Sequence, residues 1–219
     1  MRVVNIFCAL CALMAVGCVP KSVVVGVDTV VEHELSYDCP VTGIAISSGF
    51  DVELSEAVAD GTIMVVVPEN IVPYVVVEQK EGVLYVGLDR NNAYHVDELK
   101  AVVNPSQITT FMLSGGSELS YDNIVVPGDI SLALSGGSEV ELKGECDGLA
   151  VALSGGSELD VEELHAKHVV VAASGGSTAE IYAEKSLEVA ASGGSEVEYL
   201  GDPMVKEIQA TGGSQVSRK

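Results

Sequence analysis

Regularly spaced carboxylates are the side chains of this 219-residue chain with the clearest capacity for chemistry. They follow copies of the tetrapeptide Ser-Gly-Gly-Ser, four and six residues after its first serine. The four-residue column contains Glu118, Glu139, Glu158, Thr178, Glu196 and Gln215. The six-residue column contains Ser120, Glu141, Asp160, Glu180, Glu198 and Ser217. Calcium takes oxygen ligands. One hypothesis is therefore a calcium-binding face whose ligands are Glu118, Glu139, Glu158 and Glu196.

The same columns have a simpler interpretation as a solvated face without a cofactor. Carboxylates stacked about 5 Å apart repel by roughly 1 kcal/mol per pair even in bulk water, but long side chains can splay apart and salt screens them. The calcium-binding β-roll nonapeptide, Gly-Gly-x-Gly-x-Asp-x-apolar-x, is absent. Its nearest match, Gly155 to Asp160, has Glu158 at the third glycine. The sequence favours solubility as the role of these columns.

Other reactive side chains do not form a recognisable catalytic set. His165 and His168 lie with Glu162 and Glu163 in one predicted loop, which is either a weak metal site or an exposed charged turn. The repeated serines lack a base and are expected to be structural. Carbohydrate cleavage needs paired acids, or acids beside a base, but Arg218 is the only arginine of the repeat half and tryptophan is absent. We predict no catalytic or cofactor-binding residue, and a protein that is not an enzyme.

The tetrapeptide itself marks a structural repeat of about 20 residues. Its copies begin at Ser114, Ser135, Ser154, Ser174 and Ser192, and a Thr-Gly-Gly-Ser variant begins at Thr211. Apolar residues stand one and three residues before each copy, and five and seven after it, except that Arg218 takes the seventh position after the last copy. A spacing of two is the strand period, and paired glycines suit a bend better than a helix. Each unit is predicted to be strand, corner, strand, and stacked units give an all-β fold, a parallel β-solenoid.

A stack of antiparallel hairpins is the alternative fold, because Gly-Gly also makes two-residue turns. Hairpins need turn signals at both ends of every strand pair. The segments between repeat units instead vary in length and chemistry, which favours the solenoid with loops along one edge. These predicted loops are Asp122 to Asp129, Lys143 to Gly148, Glu162 to His168, Ala183 to Ser186, and Leu200 to Lys206.

The first half of the chain also reads as strands, but without the short repeat. The stretch from Ser47 to Phe50 looks like a degenerate copy of the corner, so this half either begins the solenoid or caps it. Solenoid ends need capping because their strand edges are unpaired. We divide the chain into residues 1–17, a signal peptide; 18–35, an anchor and tether; 36–110, the N-terminal β segment; and 111–219, the repeats. Residues 36–219 are expected to form one continuous domain.

The N-terminus carries an export signal. Met1 and Arg2 precede a 15-residue apolar run that ends at Gly17, which is typical of a signal peptide and short for a membrane span. Ala15 to Cys18 resembles the lipobox of bacterial lipoproteins, in which the cysteine is acylated. We therefore predict lipidation of Cys18 and attachment to the outer membrane, with ordinary secretion as the alternative. Periplasmic and surface-exposed orientations both remain open.

Composition restricts the partners further. Acidic residues outnumber basic ones 32 to 11, for a formal charge of −21, which excludes nucleic acid as a partner. Apolar residues make up 47% of the chain, enough for a folded core. Cys39 and Cys146 remain after the signal and anchor cysteines. In an oxidising compartment they form either a disulfide or two independent thiols.

Several segments together resemble a known family. They are Gly43 to Leu54, Val75 to Val86, Val102 to Leu119 and the serial Ser-Gly-Gly-Ser units. This combination resembles the auto-transporter adhesin, head GIN domain family of bacteria, especially of the Bacteroides group, over roughly residues 40–219. The resemblance implies a β-helical fold and a cell-surface adhesive role, and it carries over no functional residue.

Two functions therefore stand as hypotheses. The first is a non-enzymatic envelope lipoprotein that acts as an adhesin or surface binding module and is attached to a membrane through its lipid anchor. Its ligand would be a glycan, a host or matrix molecule, or another envelope protein, and homo-oligomers would form along the solenoid sides or at its ends. The alternative is a β-helical protein that binds or degrades polysaccharides.

Overall fold

The computed structural model describes residues 22–219, so the predicted signal peptide and Cys18 lie outside the described residues. Within this range the chain consists of strands and one short 3-10 helix, Val72–Tyr74, with no α-helix. None of its described segments is a helix that could cross a membrane. The strands are β1 (Val23–Val25), β2 (Val30–Ser36), β3 (Gly43–Ile46), β4 (Asp51–Leu54), β5 (Thr62–Pro68), β6 (Val75–Lys80), β7 (Val83–Leu88), β8 (Ala93–His95), β9 (Lys100–Val103), β10 (Thr110–Ser114), β11 (Glu118–Ser135), β12 (Glu139–Leu153), β13 (Glu158–Ala173), β14 (Thr178–Ala191), β15 (Glu196–Leu200), β16 (Met204–Ala210) and β17 (Gln215–Arg218).

The repeat half is a parallel β-solenoid, which confirms the predicted fold and excludes the hairpin array. Each Gly-Gly corner joins a strand before it to a strand after it, and every such strand pairs in parallel with its copy in the next coil. The long strands β11 to β14 each carry the chain from one corner to the next. Because the tetrapeptides pair in register, the side chains beside each corner lie above their counterparts in the coil before.

The apolar columns face inward and form a single core along the solenoid. Leu132 and Leu134 before one corner, and Val140 and Leu142 after it, are at most 2% exposed. Burying each such side chain contributes roughly 1.5–3 kcal/mol. The alternate residues point outward, so each strand divides cleanly into a core side and a solvent side.

The corners show why two glycines and a serine recur. Both glycines have positive φ, for example +74° at Gly175 and +79° at Gly176. A Cβ on Gly175 would lie 2.9 Å from the backbone nitrogen of Gly155 in the coil before, whereas a Cβ on Gly176 would meet open space. The serine after each pair is buried, except Ser214 in the last coil, which is partly exposed. Ser177, for instance, donates a hydrogen bond of 2.7 Å from its hydroxyl to the carbonyl of Ser174 and so closes the turn.

The predicted loops between repeat units are mostly wrong. The first four segments lie inside β11, β12, β13 and β14, and only the fifth leaves the strands, at residues 201–203. Register shifts absorb the differences in length, for example between Tyr121 and Ile124. The inward side chains Ile124 and Leu164 are buried here. Continued pairing satisfies backbone groups that a loop over this apolar surface would leave without partners.

The N-terminal half both begins and caps the solenoid, so the two predicted roles are combined. Strands β3 and β4 form a coil below β10 and β11, and their corner confirms the degenerate copy, with φ of 70° at Ser48 and 77° at Gly49. Strands β7 and β9 add a further parallel layer. Strand β6 then pairs antiparallel with β7, β5 with β9 and β2 with β5, which ends the parallel stack.

The predicted tether and the two cysteines need separate comment. The predicted anchor and tether, residues 18–35, contains β1 and all of β2 except Ser36, because β2 pairs with the edge of β5. The two cysteines are independent thiols. Cys39 is exposed beside Asp60, whereas Cys146 lies in the core of β12, where burial raises the pKa of its thiol to about 12.

Candidate functional site

The acidic columns form one continuous surface on the strands that follow the corners, and we call it the acidic face. In-register pairing places Glu118, Glu139 and Glu158 in successive coils, followed by Thr178 and Glu196. The second column runs beside the first. All four predicted cation ligands are exposed. The structure therefore confirms the columns as a stacked surface, with Thr178 separating Glu196 from the other three.

Repulsion within the acidic face is visible in its electrostatics. Glu139 lies in the middle of the first column. Partial burial, followed by the charges of Glu158 and Glu118, raises the pKa of the Glu139 carboxyl. A raised pKa means that the folded state disfavours the charged carboxylate, so ionised Glu139 opposes folding at neutral pH.

We expect Glu139→Gln to stabilise the protein at pH 7 in low salt, raising its melting temperature by roughly 1–3 °C after allowance for solvent screening. The sign follows from the raised pKa: the penalty is present above the folded pKa and is relieved as protonation occurs. The gain should therefore shrink as the pH falls towards 4, and also in 1 M salt. Thermal denaturation followed by circular dichroism at both pH values and both salt concentrations measures it.

Asp147→Asn is the matched control. It also removes one carboxylate, but the ionised form of Asp147 stabilises the folded state, whereas that of Glu139 destabilises it. The hydrogen bond and charge of Lys167 lower the pKa of Asp147, so its ionised form supports folding above its usual pKa and this support is lost as the pH falls. We expect this variant to be slightly less stable than the wild type at pH 7. A Glu139→Gln variant that is less stable at pH 7 would contradict the proposed repulsion.

Two lysines relieve the repulsion, and sequence reasoning missed both. The Lys143 ammonium lies 2.8 Å from Glu141, 3.4 Å from Asp122 and 3.8 Å from Glu163. The carboxylates of Glu141 and Asp122 raise the pKa of Lys143 well above its usual range. The sequence offered a signal for Lys143, since it follows Glu141 by two residues and so shares its side of the strand.

Lys219 does the same across three coils. Its ammonium contacts Glu180, lies 2.9 Å from Glu162 and lies 3.7 Å from Glu198. The carboxylates of Glu180 and Glu162 raise the pKa of Lys219 well above its usual range. Lys219 stands eight residues after Thr211, as Glu162 stands eight after Ser154, so the repeat assigns both to one column although they are 57 positions apart.

A group of carboxylates close enough together to hold a cation lies beside Lys219. It does not include the four cation ligands that the sequence predicted. Among residues 22–219, the group whose oxygens all lie within 4.8 Å of one another is Asp160, Glu162 and Glu180. These side chains could supply three of the oxygen ligands that calcium takes. Because the Lys219 ammonium already pairs with two of them, it would compete with a divalent cation for the same carboxylates.

We expect Lys219→Met to convert this group into a weak calcium site. With a dissociation constant of about 1 mM, 10 mM calcium would stabilise the variant by about 1.4 kcal/mol, or about 3–6 °C. The wild type should shift much less. Melting curves with calcium and with chelator measure the effect. Lys80→Met, at the other end of the molecule, serves as control, and an equal calcium shift in all three proteins would contradict competition by Lys219.

The two histidines lie on β13, so the loop predicted for them is wrong. The ring of His165 stacks on Tyr182, with centroids 4.3 Å apart. His168 hydrogen-bonds through Nδ1 to the Ser186 hydroxyl at 2.8 Å. Neither histidine belongs to the group of metal-ligating side chains described above. Their contacts extend the stacking of adjacent coils.

A second surface lies on the strands that precede the corners, and it is chemically unlike the first. Its outward columns consist mainly of small uncharged side chains, and we call it the alanine face. One column contains Met112, Ala133, Ala152, Ala172, Ala190 and Gln209, and the other contains Thr110, Ser131, Ala150, Val170, Glu188 and Glu207. The solenoid therefore presents one flat acidic side and one flat side with few charges.

Concave sites are small by comparison. One concavity, of about 100 Å³, is lined by His33, Leu35, Val65, Val67, Val72 and Val75 near the N-terminal cap. A second, of about 210 Å³, lies beside Gly26 and Pro68. Small-molecule pockets usually span about 300–1,000 Å³. The repeated flat faces are therefore the more extensive surfaces for recognition.

The repeat architecture and corner sequence agree with a family defined by such repeats. Residues 40–203 match the family described as putative auto-transporter adhesin, head GIN domain. The chain belongs to this family. The resemblance drawn from the corner and strand motifs is thereby confirmed, and family membership implies an extracellular or cell-envelope protein. No curated protein matches the chain.

Solved structures of similar fold come from Bacteroides and Parabacteroides species. A putative adhesin from Bacteroides fragilis has a TM-score of 0.70 at 15% identity, over 90% of this chain and 100% of that one. A putative adhesin from Parabacteroides distasonis has a TM-score of 0.55 at 17% identity, over 90% and 100%. A putative lipid binding protein from the same species has a TM-score of 0.53 at 16% identity, over 90% and 99%. At these identities the likeness shows the fold alone.

Proposed function

We propose that this head GIN domain protein is a non-enzymatic adhesin, lipid-anchored through Cys18 to the outer membrane. The observation that carries the proposal is the pair of continuous flat faces on a rigid solenoid in a chain of an adhesin family. Stacked coils repeat the same side chains about every 4.8 Å. Such a surface suits an extended partner with its own repeat, such as a glycan chain or a matrix protein.

The acidic face is the proposed contact surface. Its carboxylates accept hydrogen bonds from sugar hydroxyls and attract cationic groups of a matrix protein, and regular spacing lets several weak contacts act together. Lys143 and Lys219 hold part of the face at fixed geometry, so fewer side chains must be ordered on binding. Exposed acidic columns also keep the domain in solvent, away from anionic lipid.

A glycan and host-matrix binding screen tests the proposal. The protein would be residues 22–219, which contain every described strand, with parallel wells containing calcium or chelator and with analysis of the products. Retention without bond cleavage is the expected result. Loss of retention in chelator would show that the acidic face binds through a cation.

A matched pair of variants locates the contact surface. Glu118→Gln, Glu139→Gln and Glu158→Gln together neutralise three carboxylates of the acidic face. Glu32→Gln, Glu34→Gln and Glu78→Gln remove the same charge at the N-terminal end. We expect only the first triple variant to lose binding. Equal loss in both variants would show that binding depends on net charge and not on the acidic face.

Carbohydrate processing is the competing function. Clustered carboxylates beside Lys143 and Lys219 on a parallel solenoid are the observation that favours it. An acid and a base at defined separation could cleave a glycan. Cleavage products in the screen would establish this function and overturn the non-enzymatic proposal.

A further inference from the structure

The last coil of the solenoid differs from all the coils beneath it, and we call it the C-terminal tip, residues 204–219. In it the core columns continue without cover. Ile208 is 41% exposed, whereas Val189, its counterpart one coil earlier, is 3% exposed. Met204 and Val205 in the same strand are 67% and 43% exposed. The apolar core therefore opens at this end.

Backbone groups are also without sheet partners at the tip. Among the described strands, β16 pairs only with β14, and β17 pairs only with β15. Both therefore present a free edge at the same end of the solenoid. At the opposite end, antiparallel strands β2, β5 and β6 complete the stack, and its outermost strands carry charges such as Glu32, Glu34 and Glu78. Natural proteins usually protect an open sheet edge with charge or cover.

The charge pattern indicates what covers the tip. Both acidic columns stop one coil below the tip, and within the tip Gln215 and Ser217 stand in place of the carboxylates. The cations of the tip are already paired with acids: Lys206 lies 3.2 Å from Glu188, Arg218 lies 3.1 Å from Asp202, and Lys219 contacts Glu180. The tip contains one acid, the exposed Glu207, so it is a nearly neutral and partly apolar surface on an otherwise highly acidic chain. Two copies can meet on this surface with little carboxylate repulsion.

We propose that the C-terminal tip binds the tip of a second copy of this chain. Two copies related by a two-fold axis across the solenoid axis would bring their free edges together as antiparallel strands and join their two open cores into one. The surface is self-complementary, since the same apolar residues and the same free edges lie on both sides. Because the contact uses up both tips, it yields a closed dimer rather than a filament.

The dimer would have its two N-terminal caps at its far ends. This consequence, which rests on the proposed anchoring and adhesive function, places the two Cys18 lipids on facing membranes. The protein would then join two cells through copies of itself, with a second chain as the partner of the adhesin.

Sedimentation and small-angle X-ray scattering of residues 22–219 test the contact. A concentration-dependent dimer is expected, with a maximum dimension about twice that of the monomer. Ile208→Lys should raise the dimer dissociation constant at least about tenfold, since it puts a charge in the centre of the apolar contact. The substituted side chain can reach solvent, so the fold should be kept, as a melting curve can verify.

Val170→Lys is the control, because Val170 is a strand residue of similar exposure, 49%, on the alanine face. It should leave dimerisation unchanged. A monomer at all concentrations would overturn the proposal, as would a dimer that resists Ile208→Lys, a dimer no longer than the monomer, or open polymers that imply contact between tip and cap.

A bead-clustering assay distinguishes failure of the tip contact from failure of the proposed adhesive function. Beads coated with protein attached through its N-terminus should cluster, whereas attachment through Lys219 should block clustering. A monomeric protein that still binds matrix or glycan would refute the tip contact and leave the adhesin proposal standing. A dimer in solution without clustering of beads or binding to matrix would uphold the tip contact and refute adhesion.

Discussion

Replacement of Gly175 by alanine is expected to destabilise the protein by about 2–5 kcal/mol, the sum of two costs. A left-handed backbone costs roughly 1–2 kcal/mol for a residue with a Cβ, and forcing a Cβ to within 2.9 Å of the Gly155 nitrogen adds about 1–3 kcal/mol. The coils above and below hold the backbone in place, so the corner cannot move away. Urea denaturation should show this loss, and the melting temperature should fall by on the order of 10 °C.

Gly176→Ala is the matched control within the same corner. Its φ is +79°, close to that of Gly175, but its Cβ would meet open space. We expect only the backbone cost of about 1–2 kcal/mol. Two variants of equal stability would show that close stacking of corners contributes nothing, and that both glycines are needed for backbone conformation alone.

Replacement of Phe50 by serine is the second change with a large expected effect. It introduces the residue that the other corners have, yet we expect it to destabilise the protein. Phe50 occupies the corner position at which later coils have a buried serine, and it is fully buried. Serine there would gain a turn hydrogen bond worth about 1 kcal/mol. Deleting the buried ring costs about 3–5 kcal/mol. The net result should be a loss of about 2–4 kcal/mol in urea denaturation, although the substitution restores the consensus.

Ser117→Ala provides the comparison one coil higher. It removes only the hydroxyl that donates to the carbonyl of Ser114 at 2.9 Å, so the expected loss is about 1 kcal/mol. If Phe50→Ser were as stable as the wild type, the first corner would be built like the others and its phenylalanine would not fill the core of the cap.

The repeat half could be predicted closely because its information is local. Two-residue alternation of apolar side chains assigns an inner and an outer side to each strand, and the glycine pair allows the positive φ of the corner. Similar units at similar spacing then stack in register, which places Glu118, Glu139 and Glu158 in one column without further information.

The segments between units could not be predicted in the same way. Glu162 to His168 is polar and irregular in spacing, which is typical of a loop. In the structure it remains strand because the edge of β12 is available beside it and Leu164 can reach the core. Hydrogen bonding with a neighbouring coil, which no local pattern encodes, outweighed composition.

The coil could be predicted from the sequence: its length, its corner, its inner and outer faces and its acidic columns all follow from side-chain alternation and glycine conformation. The way in which the coil ends became visible only in the folded molecule. The antiparallel cap and the open tip at Ile208 depend on which strand edges remain free once the coils have stacked. The strand pairings of the cap lie outside the repeat, so no repeat in the sequence marks them.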